Sequence, residues 1–378
     1  MNPSSHFDVI IVGGGPAGCA CGAILARAGV NVAICEKAKF PRDKICGDCI
    51  NPASWDLLKI IGVASELQAL NPCRIDGIRI ANAKGVELTA AISHKPARPF
   101  FAIKRRVFDA LLQKNAKRSG AVILEQTQAM DIYWNGKWHV VIQKKHSREI
   151  SVLTSDFLIG ADGRNSLVAR KLVKNRNHRD RRSNGMQVGI QWHTENQSQI
   201  GSRIELFLFD SGYCGVVNVD NKQANIAMVT DAGRATLAKK HFNKFLDSTI
   251  LKNTTAAKTL KALSPIGNIS TTFPIEPEIH SLRHPNAILI GDAHCIVEPF
   301  TGEGIYFALE NGVRAAAEVI ARFHAEPNLL DFTLRSRFWV NRVYSPILRN
   351  KTLAAGLVAF GARFPGLVPW ALKTVFPS

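Results

Sequence analysis

The chain has 378 residues, and its 48 lysines and arginines against 30 aspartates and glutamates give a formal net charge of +18 at neutral pH. With 46% hydrophobic and 21% charged residues it can bury a sizeable core, which excludes a disordered or collagen-like chain. Eight cysteines are too dilute for a disulfide scaffold, so we expect reduced thiols. The length predicts two or three lobes, or one large interrupted domain.

The excess of positive charge predicts an acidic partner: nucleic acid, an anionic membrane, or a cofactor or substrate that carries phosphate. Residues 1–6 are polar and the first strand follows at once, so we expect no signal peptide. The nearest approach to a spanning segment, residues 352–362, is too short to cross a bilayer. These observations predict a cytoplasmic protein, with peripheral membrane contact left open.

The first elements follow the order strand, turn, helix, strand within about thirty residues. Residues 7–12 are a nearly continuous apolar run, which is typical of a parallel strand buried on both faces. The turn Gly-Gly-Gly-Pro-Ala-Gly follows at 13–18. A helix of small residues is predicted over 16–28 and a second strand over 30–35. This order is a βαβ unit.

The later elements mix helices, hairpins and short buried strands. We predict helices over 53–61, 106–119, 237–251 and 304–323, a sheet over 74–101, and a tight type I′ hairpin turn at Asn135-Gly136. Apolar strands at 157–159 and 287–290 each run into a turn that contains Gly and Asp. The stretch 185–274 is rich in predicted strands, and 329–378 is helical and apolar.

Strands that end in Gly/Asp turns occur at the start, in the middle and near the end of the chain. This spread predicts a mixed α/β fold with one Rossmann-like nucleotide-binding lobe assembled from separated segments and an inserted β-sheet lobe. We assign residues 1–73, 102–182 and 275–325 to the nucleotide-binding lobe, residues 74–101 and 183–274 to the β-rich substrate lobe, and residues 326–378 to a helical C-terminal segment.

The first turn carries the motif Gly13-x-Gly15-x-x-Gly18, and Glu36 stands at the end of the next strand. The glycines allow a tight turn and a close backbone approach, so that a pyrophosphate can sit on the helix N-terminus. Glu36 follows Gly18 by 18 residues, near the spacing needed to accept a ribose hydroxyl. A carboxylate there would repel a 2′-phosphate, which disfavours NADP as the bound dinucleotide.

Two later turns favour FAD over NAD. They are the GADG-x-x-S turn at 160–166 and the GDA turn at 291–293, which is followed by P-x-x-GEGI at 299–305 at the start of a helix. The positive end of a helix suits the electron-rich pyrimidine edge of a flavin. With the GGGPAG turn, in this order, the motifs resemble the FAD-dependent family of geranylgeranyl reductases and single-component aromatic hydroxylases.

The resemblance covers roughly residues 7–324 and is closest to the geranylgeranyl-reductase branch, on residues 40–48 (FPRDKICGD) and 300–306 (FTGEGIY). It implies FAD as cofactor, with Glu36 on the adenosine ribose and Arg105 as the R-x-x-F-D arginine that reaches the cofactor. The residues that it implies for FAD binding are Gly13, Gly15, Pro16, Ala17, Gly18, Glu36, Lys37, Arg42, Arg105, Asp162, Gly291, Asp292, Pro299, Gly302, Glu303, Gly304 and Ile305.

Four residues are candidates for the reacting side of the flavin. The resemblance implies Cys46 and Gly47 on the substrate side and Pro299 against the ring. His294 stands where the family has a small residue, and it either adds a proton donor or merely packs. The spacing Cys46-x-x-Cys49 leaves a redox pair open beside a simple pocket lining, and no second pair completes a metal site.

The resemblance implies an FAD-dependent oxidoreductase that acts on a hydrophobic substrate. The first hypothesis is reduction or desaturation of a carbon–carbon bond by hydride exchange with flavin N5. The alternative is monooxygenation through a flavin C4a-hydroperoxide, and a third hypothesis is a flavin-binding tailoring subunit without turnover of its own. Both reactions need an external electron donor, NAD(P)H or a reduced carrier, and no second glycine motif predicts a separate domain for it.

Two segments bear on partners. The basic stretch 164–182 lacks interleaved aromatic residues and any recognisable binding module, so we predict a solvated face and no nucleic-acid partner. An anionic membrane or a hydrophobic substrate linked to an acidic carrier are the alternatives for this stretch. The apolar residues of 353–376 predict either a packed helix pair or an interfacial element that lies on a membrane.

Overall fold

The computed structural model of the protein describes residues 6–92, 98–173, 187–273, 275, 278–280, 282, 284–297, 302–324, 351–364, 366 and 368. Its mixed α/β architecture, built on two large sheets, confirms the predicted fold class. Within these ranges, no helix combines the length and the hydropathy that crossing a bilayer requires.

The strands, in chain order, are β1 (His6–Val12), β2 (Val32–Glu36), β3 (Cys49–Ile50), β4 (Cys73–Ile75), β5 (Gly77–Ala81), β6 (Glu87–Ala91), β7 (Phe100–Ala102), β8 (Val122–Glu125), β9 (Thr127–Trp134), β10 (Trp138–Lys144), β11 (Ile150–Gly160), β12 (Gln187–Glu195), β13 (Arg203–Phe209), β14 (Gly212–Asn218), β15 (Gln223–Asp231), β16 (Ile266–Thr272), β17 (Glu278–Ile279), β18 (Ala287–Leu289) and β19 (Cys295–Ile296). The helices are α1 (Pro16–Arg27), α2 (Ser54–Ile61), α3 (Ala64–Ala69), α4 (Arg105–Arg118), α5 (Leu167–Leu172), α6 (Gly233–Lys240), α7 (Phe242–Ser248), α8 (Thr254–Thr259), α9 (Gly304–His324) and α10 (Lys351–Arg363). Short 3-10 turns cover Ser198–Ile200, Ile250–Lys252 and Gly291–Ala293.

The first sheet has the strand order β8-β2-β1-β11-β10-β9, and β18 pairs with the far end of β11. Strands β1, β2, β8, β11 and β18 run parallel, so their carboxyl ends meet at one edge of the sheet. One face of β1 packs on α1, α2, α4 and α9, and the other face packs on a second apolar cluster. Burial on both faces is why β1 reads as a continuous apolar run.

The second sheet has the order β16-β12-β15-β14-β13-β5-β6, in which only the β13–β5 pair is parallel. Side chains alternate between its faces along each strand. One face packs on α6, α7 and α8, with Trp192, Phe207 and Phe245 fully buried there. Gly189 and Gly215 belong to the opposite face, which turns toward the first sheet. A small sheet of order β3-β7-β4 completes the connection.

Two predicted elements differ in detail. The single helix expected over 237–251 is two helices, α6 and α7, because His241 leaves helical geometry with φ −141° and ψ 66°. The two-residue turn expected at Asn135-Gly136 is a three-residue loop, since Trp134 pairs with Trp138 and Lys137 joins the loop. Gly136 still takes the left-handed conformation, at φ +73°.

Candidate active site

The glycine turn lies where three strand ends meet. The Gly13 N–H donates to the Cys35 carbonyl at 2.8 Å, and the Ala161 N–H donates to the Val12 carbonyl at 2.8 Å. Gly13 has φ +109°, and a Cβ there would lie 2.3 Å from the Ala161 oxygen, so only glycine suits this position. The turn therefore delivers the N-terminus of α1, with its partial positive charge, to the carboxyl edge of the sheet.

Glu36 is held in place by backbone amides. Its carboxylate accepts from the Gly14 N–H at 2.9 Å and from the Ala38 N–H at 2.8 Å, and the side chain is almost fully buried. Arg42 Nε lies 3.9 Å from the same carboxylate. Because a carboxylate has about four acceptor positions, these contacts leave room for a ligand hydroxyl.

A buried ion-pair cluster centres on Asp109. Arg105 forms a two-pronged contact with it, Nε to Oδ1 at 2.7 Å and Nη2 to Oδ2 at 2.8 Å, and Arg42 Nη1 lies 3.2 Å from Oδ2. Burial opposes the charge on Arg105, but Asp109 and Cys46 together outweigh that effect, so the pKa of Arg105 lies above its ordinary value. Arg42 is shared between Asp109 and Glu36, so these two arginines and two carboxylates balance in charge. The guanidinium of Arg42 lines the cavity beside the glycine turn, where it can contact an anionic ligand.

The second turn, after β11, places Asp162 beside the first. Asp162 Oδ2 accepts from the Leu167 N–H at 2.6 Å. The other oxygen, Oδ1, is buried and has no hydrogen-bond partner among the described residues. Burial raises the pKa of this carboxyl. A buried acceptor without a donor is costly, so this oxygen points to a hydroxyl supplied by a ligand.

The third turn and α9 close the same region from the other side. Asp292 lies 3.8 Å from Arg164 Nη2, and α9 begins at Gly304. Helix α9 packs directly on α1, because a Cβ at Gly312 would lie 2.5 Å from the Ala17 carbonyl oxygen. This close approach brings the N-termini of both helices to one place.

The loop after the cis Phe40-Pro41 peptide is tied to the second sheet by a ring of hydrogen bonds. The Cys46 N–H donates to Gln191 Oε1 at 3.1 Å, Gln191 Nε2 donates to Asn225 Oδ1 at 2.9 Å, and Asn225 Nδ2 donates to the Cys46 carbonyl at 2.8 Å. The Cys46 thiol also contacts the Arg105 guanidinium. These partners lie 145 and 179 residues away along the chain, so the ring joins the Cys46 loop to the second sheet at the cavity wall.

Asp48 makes a second link between this loop and the second sheet. It is 1% exposed, its φ is +58°, and its carboxylate lies 3.0 Å from His193 Nε2 on β12. Its other oxygen accepts from the Arg105 N–H at 3.2 Å. Burial raises the pKa of Asp48, and His193 and Arg105 partly offset that increase.

A cavity of about 710 Å³ runs from the glycine turn to the second sheet. On the first-sheet side six cationic residues and four acidic residues line it. The cations are Lys37, Arg42, Lys44, Arg105, Arg164 and Arg170, and the acids are Glu36, Asp43, Asp162 and Asp292. On the second-sheet side the lining residues are Gly189, Ile190, Ile204, Leu206, Tyr213, Gly215, Val216, Val217, Ala227, Met228, Val229, Thr271 and Thr272. One end of the cavity is therefore charged and the other apolar.

The charged end has the features that a flavin dinucleotide requires. Glu36 and Lys37 can take the adenosine ribose, the α1 N-terminus with Arg42 can take the pyrophosphate, and Asp162 Oδ1 can accept from a ribityl hydroxyl. Gly15 leaves open space, since a Cβ there would have only Arg42 Nη2 nearby, at 3.8 Å. No atom of the described residues lies within 4 Å of a Cβ placed at Gly302. These residues are consistent with bound FAD.

Most of the sequence-predicted site residues line this one cavity. They are Gly13, Gly15, Pro16, Ala17, Glu36, Lys37, Arg42, Cys46, Gly47, Arg105, Asp162, Gly291, Asp292, Gly302, Gly304 and Ile305. Cys49 lines it as well, and both thiols are free. Burial raises the pKa of Cys46 and of Cys49, so neither is activated as a thiolate.

Three predicted site residues do not line the cavity. Gly18 has a packing role, because a Cβ there would lie 2.0 Å from the Gly13 oxygen. Glu303 is fully buried behind the wall. His294 Nδ1 lies 3.0 Å from the His280 carbonyl, away from the cavity, and burial lowers its pKa. Pro299 lies outside the described residues.

Several residues of the site were not among those predicted from the sequence, although two of them had a recognisable pattern. Asp109 belongs to the R-x-x-F-D motif and could have been found there, and Gly312 is an isolated glycine within a helical pattern, which indicates close packing. Gln191, His193 and Asn225 sit in strands with no motif around them. Of the basic stretch, Arg164 and Arg170 line the cavity and Lys171 pairs with Asp131 at 2.8 Å, while residues 174–182 lie outside the described residues.

Comparison with known proteins extends over both lobes. The family described as FAD binding domain matches residues 6–339. The menaquinone reductase of Mycobacterium tuberculosis is 30% identical over 382 residues, which are 98% of this chain and 87% of that protein. A flavoprotein/dehydrogenase from Cytophaga hutchinsonii superposes with a TM-score of 0.78 at 19% identity, over 92% of this chain and 87% of that one. A geranylgeranyl bacteriochlorophyll reductase-like protein from Thermoplasma acidophilum superposes with a TM-score of 0.67 at 19% identity, over 85% of this chain and 80% of that one. Flavin-dependent halogenases and an aklavinone-11 hydroxylase match as well.

Proposed function

This chain belongs to the FAD binding domain family and is an FAD-dependent oxidoreductase, and we propose that it reduces a carbon–carbon double bond in a hydrophobic substrate, or catalyses the reverse desaturation. FAD supplies the hydride transfer when it is bound. The protein binds the dinucleotide, orients the substrate, excludes water and holds the proton that reduction of the double bond requires.

The observation that carries this proposal is the chemistry of the second-sheet wall. No Asp, Glu, His, Lys or Arg is present among the described residues that line the cavity from β12 to β16. Ile204, Leu206 and Val217 supply aliphatic surface, and Gly215 and Ala227 leave a flat floor between them. A wall of this kind binds an apolar, extended substrate and offers no charged group to recognise a polar one.

Reduction of a double bond also needs a proton, and Cys46 is placed to hold it. Its thiol lies on the cavity wall next to Arg105 and its backbone is fixed by Gln191 and Asn225. Because burial raises the pKa of this thiol, it carries its proton at neutral pH. Cys46 Sγ is therefore the proposed proton donor. Tyr213, Thr271 and Thr272 supply further hydroxyl groups on the substrate side of the cavity, and Cys49 supplies a second thiol.

The relatives support the same direction of chemistry. The protein of M. tuberculosis that is 30% identical is a menaquinone reductase, so an isoprenoid quinone is a candidate for the hydrophobic substrate here. We propose NAD(P)H or a reduced carrier as the external electron donor, since a reductase must be reduced again after each turnover.

The test is reoxidation of the reduced, FAD-bound protein in stopped flow. We expect a menaquinone analogue with an unsaturated side chain to reoxidise the flavin under anaerobic conditions and to gain two hydrogens at a side-chain double bond, detected by mass spectrometry after the ring is returned to the quinone, without oxygen from O2. Cys46→Ala should slow this step by about 10²–10⁴-fold, as for loss of a general acid, and leave FAD binding unchanged. Cys46→Ser serves as the conservative control, because its hydroxyl can still donate a proton.

Two outcomes would overturn the proposal. Oxygen from labelled O2 in the product, with no anaerobic reoxidation by any unsaturated substrate, would assign the monooxygenase reaction that the hydroxylase match represents. A reoxidation rate that no hydrophobic substrate changes, with or without oxygen, would assign a flavin-binding subunit without turnover.

A further inference from the structure

Helix α10 presents large apolar side chains to the outside. Leu353, Leu357, Phe360 and Phe364, called here the outer stripe, are between 45% and 53% exposed. They recur at intervals of four, three and four residues, which places them on one side of a helix. Phe364 follows the last turn, where its N–H donates to the Phe360 carbonyl at 2.9 Å, and the two rings lie 4.8 Å apart.

A different side of α10 packs on the protein. Val358 is buried, and Gly361 lies against strand β6, where a Cβ would come within 3.0 Å of Leu88 Cδ2. As far as the described residues show, the helix thus has an inner apolar side that packs on the fold and an outer apolar side whose large side chains are exposed. A helix at a water-exposed surface ordinarily carries polar residues on its outer side.

The helix adjoins the substrate wall. In the β5–β6 pair, Ile78 is opposite Ala90 and Ile80 is opposite Leu88, so these four side chains share one face of the sheet. Ile78 lines the cavity and Leu88 contacts α10. Helix α10 therefore lies at the outer margin of the face that binds substrate.

We propose that the outer stripe docks this protein on the surface of a bilayer that contains anionic lipid, with the stripe at the boundary between headgroups and acyl chains. The net charge of +18 favours an anionic surface, and Arg363 is exposed at the end of the helix. The same charge disfavours a second copy as the occupant, because two copies would repel each other. Only the further step, in which a lipid-dissolved substrate reaches the cavity from this surface, rests on the proposed function.

The experiment is co-sedimentation of the full, FAD-bound chain with vesicles of phosphatidylcholine alone or mixed with phosphatidylglycerol. We expect binding to the mixed vesicles, weaker binding at high salt, and a loss of at least about tenfold in Leu357→Ser/Phe360→Ser, since each buried Leu or Phe contributes strongly. The matched control is Ile150→Ser/Val152→Ser on β11, which removes apolar residues that are 62% and 41% exposed elsewhere. Flavin absorbance and the melting temperature establish that both variants fold.

Failure to bind vesicles, or equal binding by the stripe variant and the control, would overturn the proposal. A stripe variant that turns a dimer into a monomer, in a protein that ignores vesicles, would assign the stripe to a second copy. Binding is measured without turnover, and reduction of the side-chain double bond of a short-chain, water-soluble quinone analogue is measured without vesicles. Failure of the docking surface and failure of the reductase proposal therefore give different results.

Discussion

At the scale of single residues, most of the buried carboxylates at the site bind backbone amides or cationic side chains of the protein itself. Glu36, Asp48 and Asp109 each use their oxygens on backbone amides or on cations of the protein. Buried carboxylates are stable only when they are paired in this way. Asp162 is different, because one of its oxygens has no partner among the described residues. The first three carboxylates thus hold the site together, whereas Asp162 has one oxygen that can accept a hydrogen bond from a ligand.

We expect Glu36→Ala to weaken FAD binding by about ten- to a hundredfold, or about 1.4–2.8 kcal/mol. The substitution leaves the Gly14 and Ala38 amides without their acceptor and removes the proposed ribose partner. Fluorescence quenching of FAD on titration with apoprotein measures the affinity. Glu149→Ala, at an exposed position, is the control. An affinity equal to that of the control would remove Glu36 from the cofactor site.

We expect His193→Ala to lower the free energy of unfolding by about 3 kcal/mol at pH 7, because it leaves the Asp48 carboxylate buried without its partner. Burial already raises the pKa of Asp48, and loss of His193 raises it further. A carboxyl with a raised pKa holds its proton more tightly in the folded state, so its contribution to stability falls as pH rises above the ordinary carboxyl value.

The loss in this variant should therefore be largest at neutral pH and shrink toward pH 4. Urea unfolding at both pH values measures it. The control is the same substitution in the Asp48→Asn background: the difference between Asp48→Asn and Asp48→Asn/His193→Ala should show little pH dependence, since neither variant has a carboxylate to bury at position 48. An equal loss at both pH values in His193→Ala would contradict the buried-charge argument.

At the scale of elements, the first sheet forms one end of the cavity with its strand ends, and the second sheet forms the other end with one of its faces. The first sheet contributes the ends of parallel strands, where turns and helix N-termini gather charge. The second sheet contributes a face on which the described residues that line the cavity carry no charged side chain. The Cys46 loop joins them through the Gln191–Asn225 ring. The polar cofactor and the proposed apolar substrate would thus meet where the carboxyl edge of the first sheet adjoins one face of the second sheet.

We expect Gly215→Leu to raise KM for a bulky hydrophobic substrate by about tenfold while FAD binding stays unchanged. A Cβ at Gly215 would meet Leu206 Cδ2 at 3.4 Å and the Ala227 oxygen at 3.7 Å, so alanine fits and a longer side chain extends into the cavity. Gly215→Ala is the matched control. Steady-state kinetics and FAD titration make the comparison. Unchanged KM in Gly215→Leu would show that substrate does not use this floor.

At the scale of the whole molecule, the bound dinucleotide would contact segments from the start, the middle and the end of the described chain. Gly13, Asp162 and Gly304 line one cavity although they are far apart in sequence. A ligand that contacts all of them stabilises their assembly, because it binds only when they are assembled.

We expect FAD at a hundred times its Kd to stabilise the folded protein by about 2.7 kcal/mol. FMN at the same concentration should stabilise it much less, because FMN lacks the adenosine half that Glu36 and Lys37 are placed to bind. Thermal unfolding of apoprotein with each flavin tests this. Equal stabilisation by FMN would mean that the adenosine half has no site on the protein.

Sequence patterns predicted the βαβ start, the glycine turn, the two Gly/Asp turns, and Glu36 and Arg105 as candidate site residues. Each of these is a local pattern, in which neighbouring residues specify a turn, a helix start or a strand end. Which candidates share a cavity depends on tertiary contacts: Cys46 lines it, while Gly18 packs within its own turn and His294 binds the His280 carbonyl. The tertiary structure also shows Gln191, His193 and Asn225 at the site. Their contacts with Cys46 and Asp48 span 145 or more residues of the chain. Such contacts form only when the inserted sheet folds back over the first, and no local pattern records that approach.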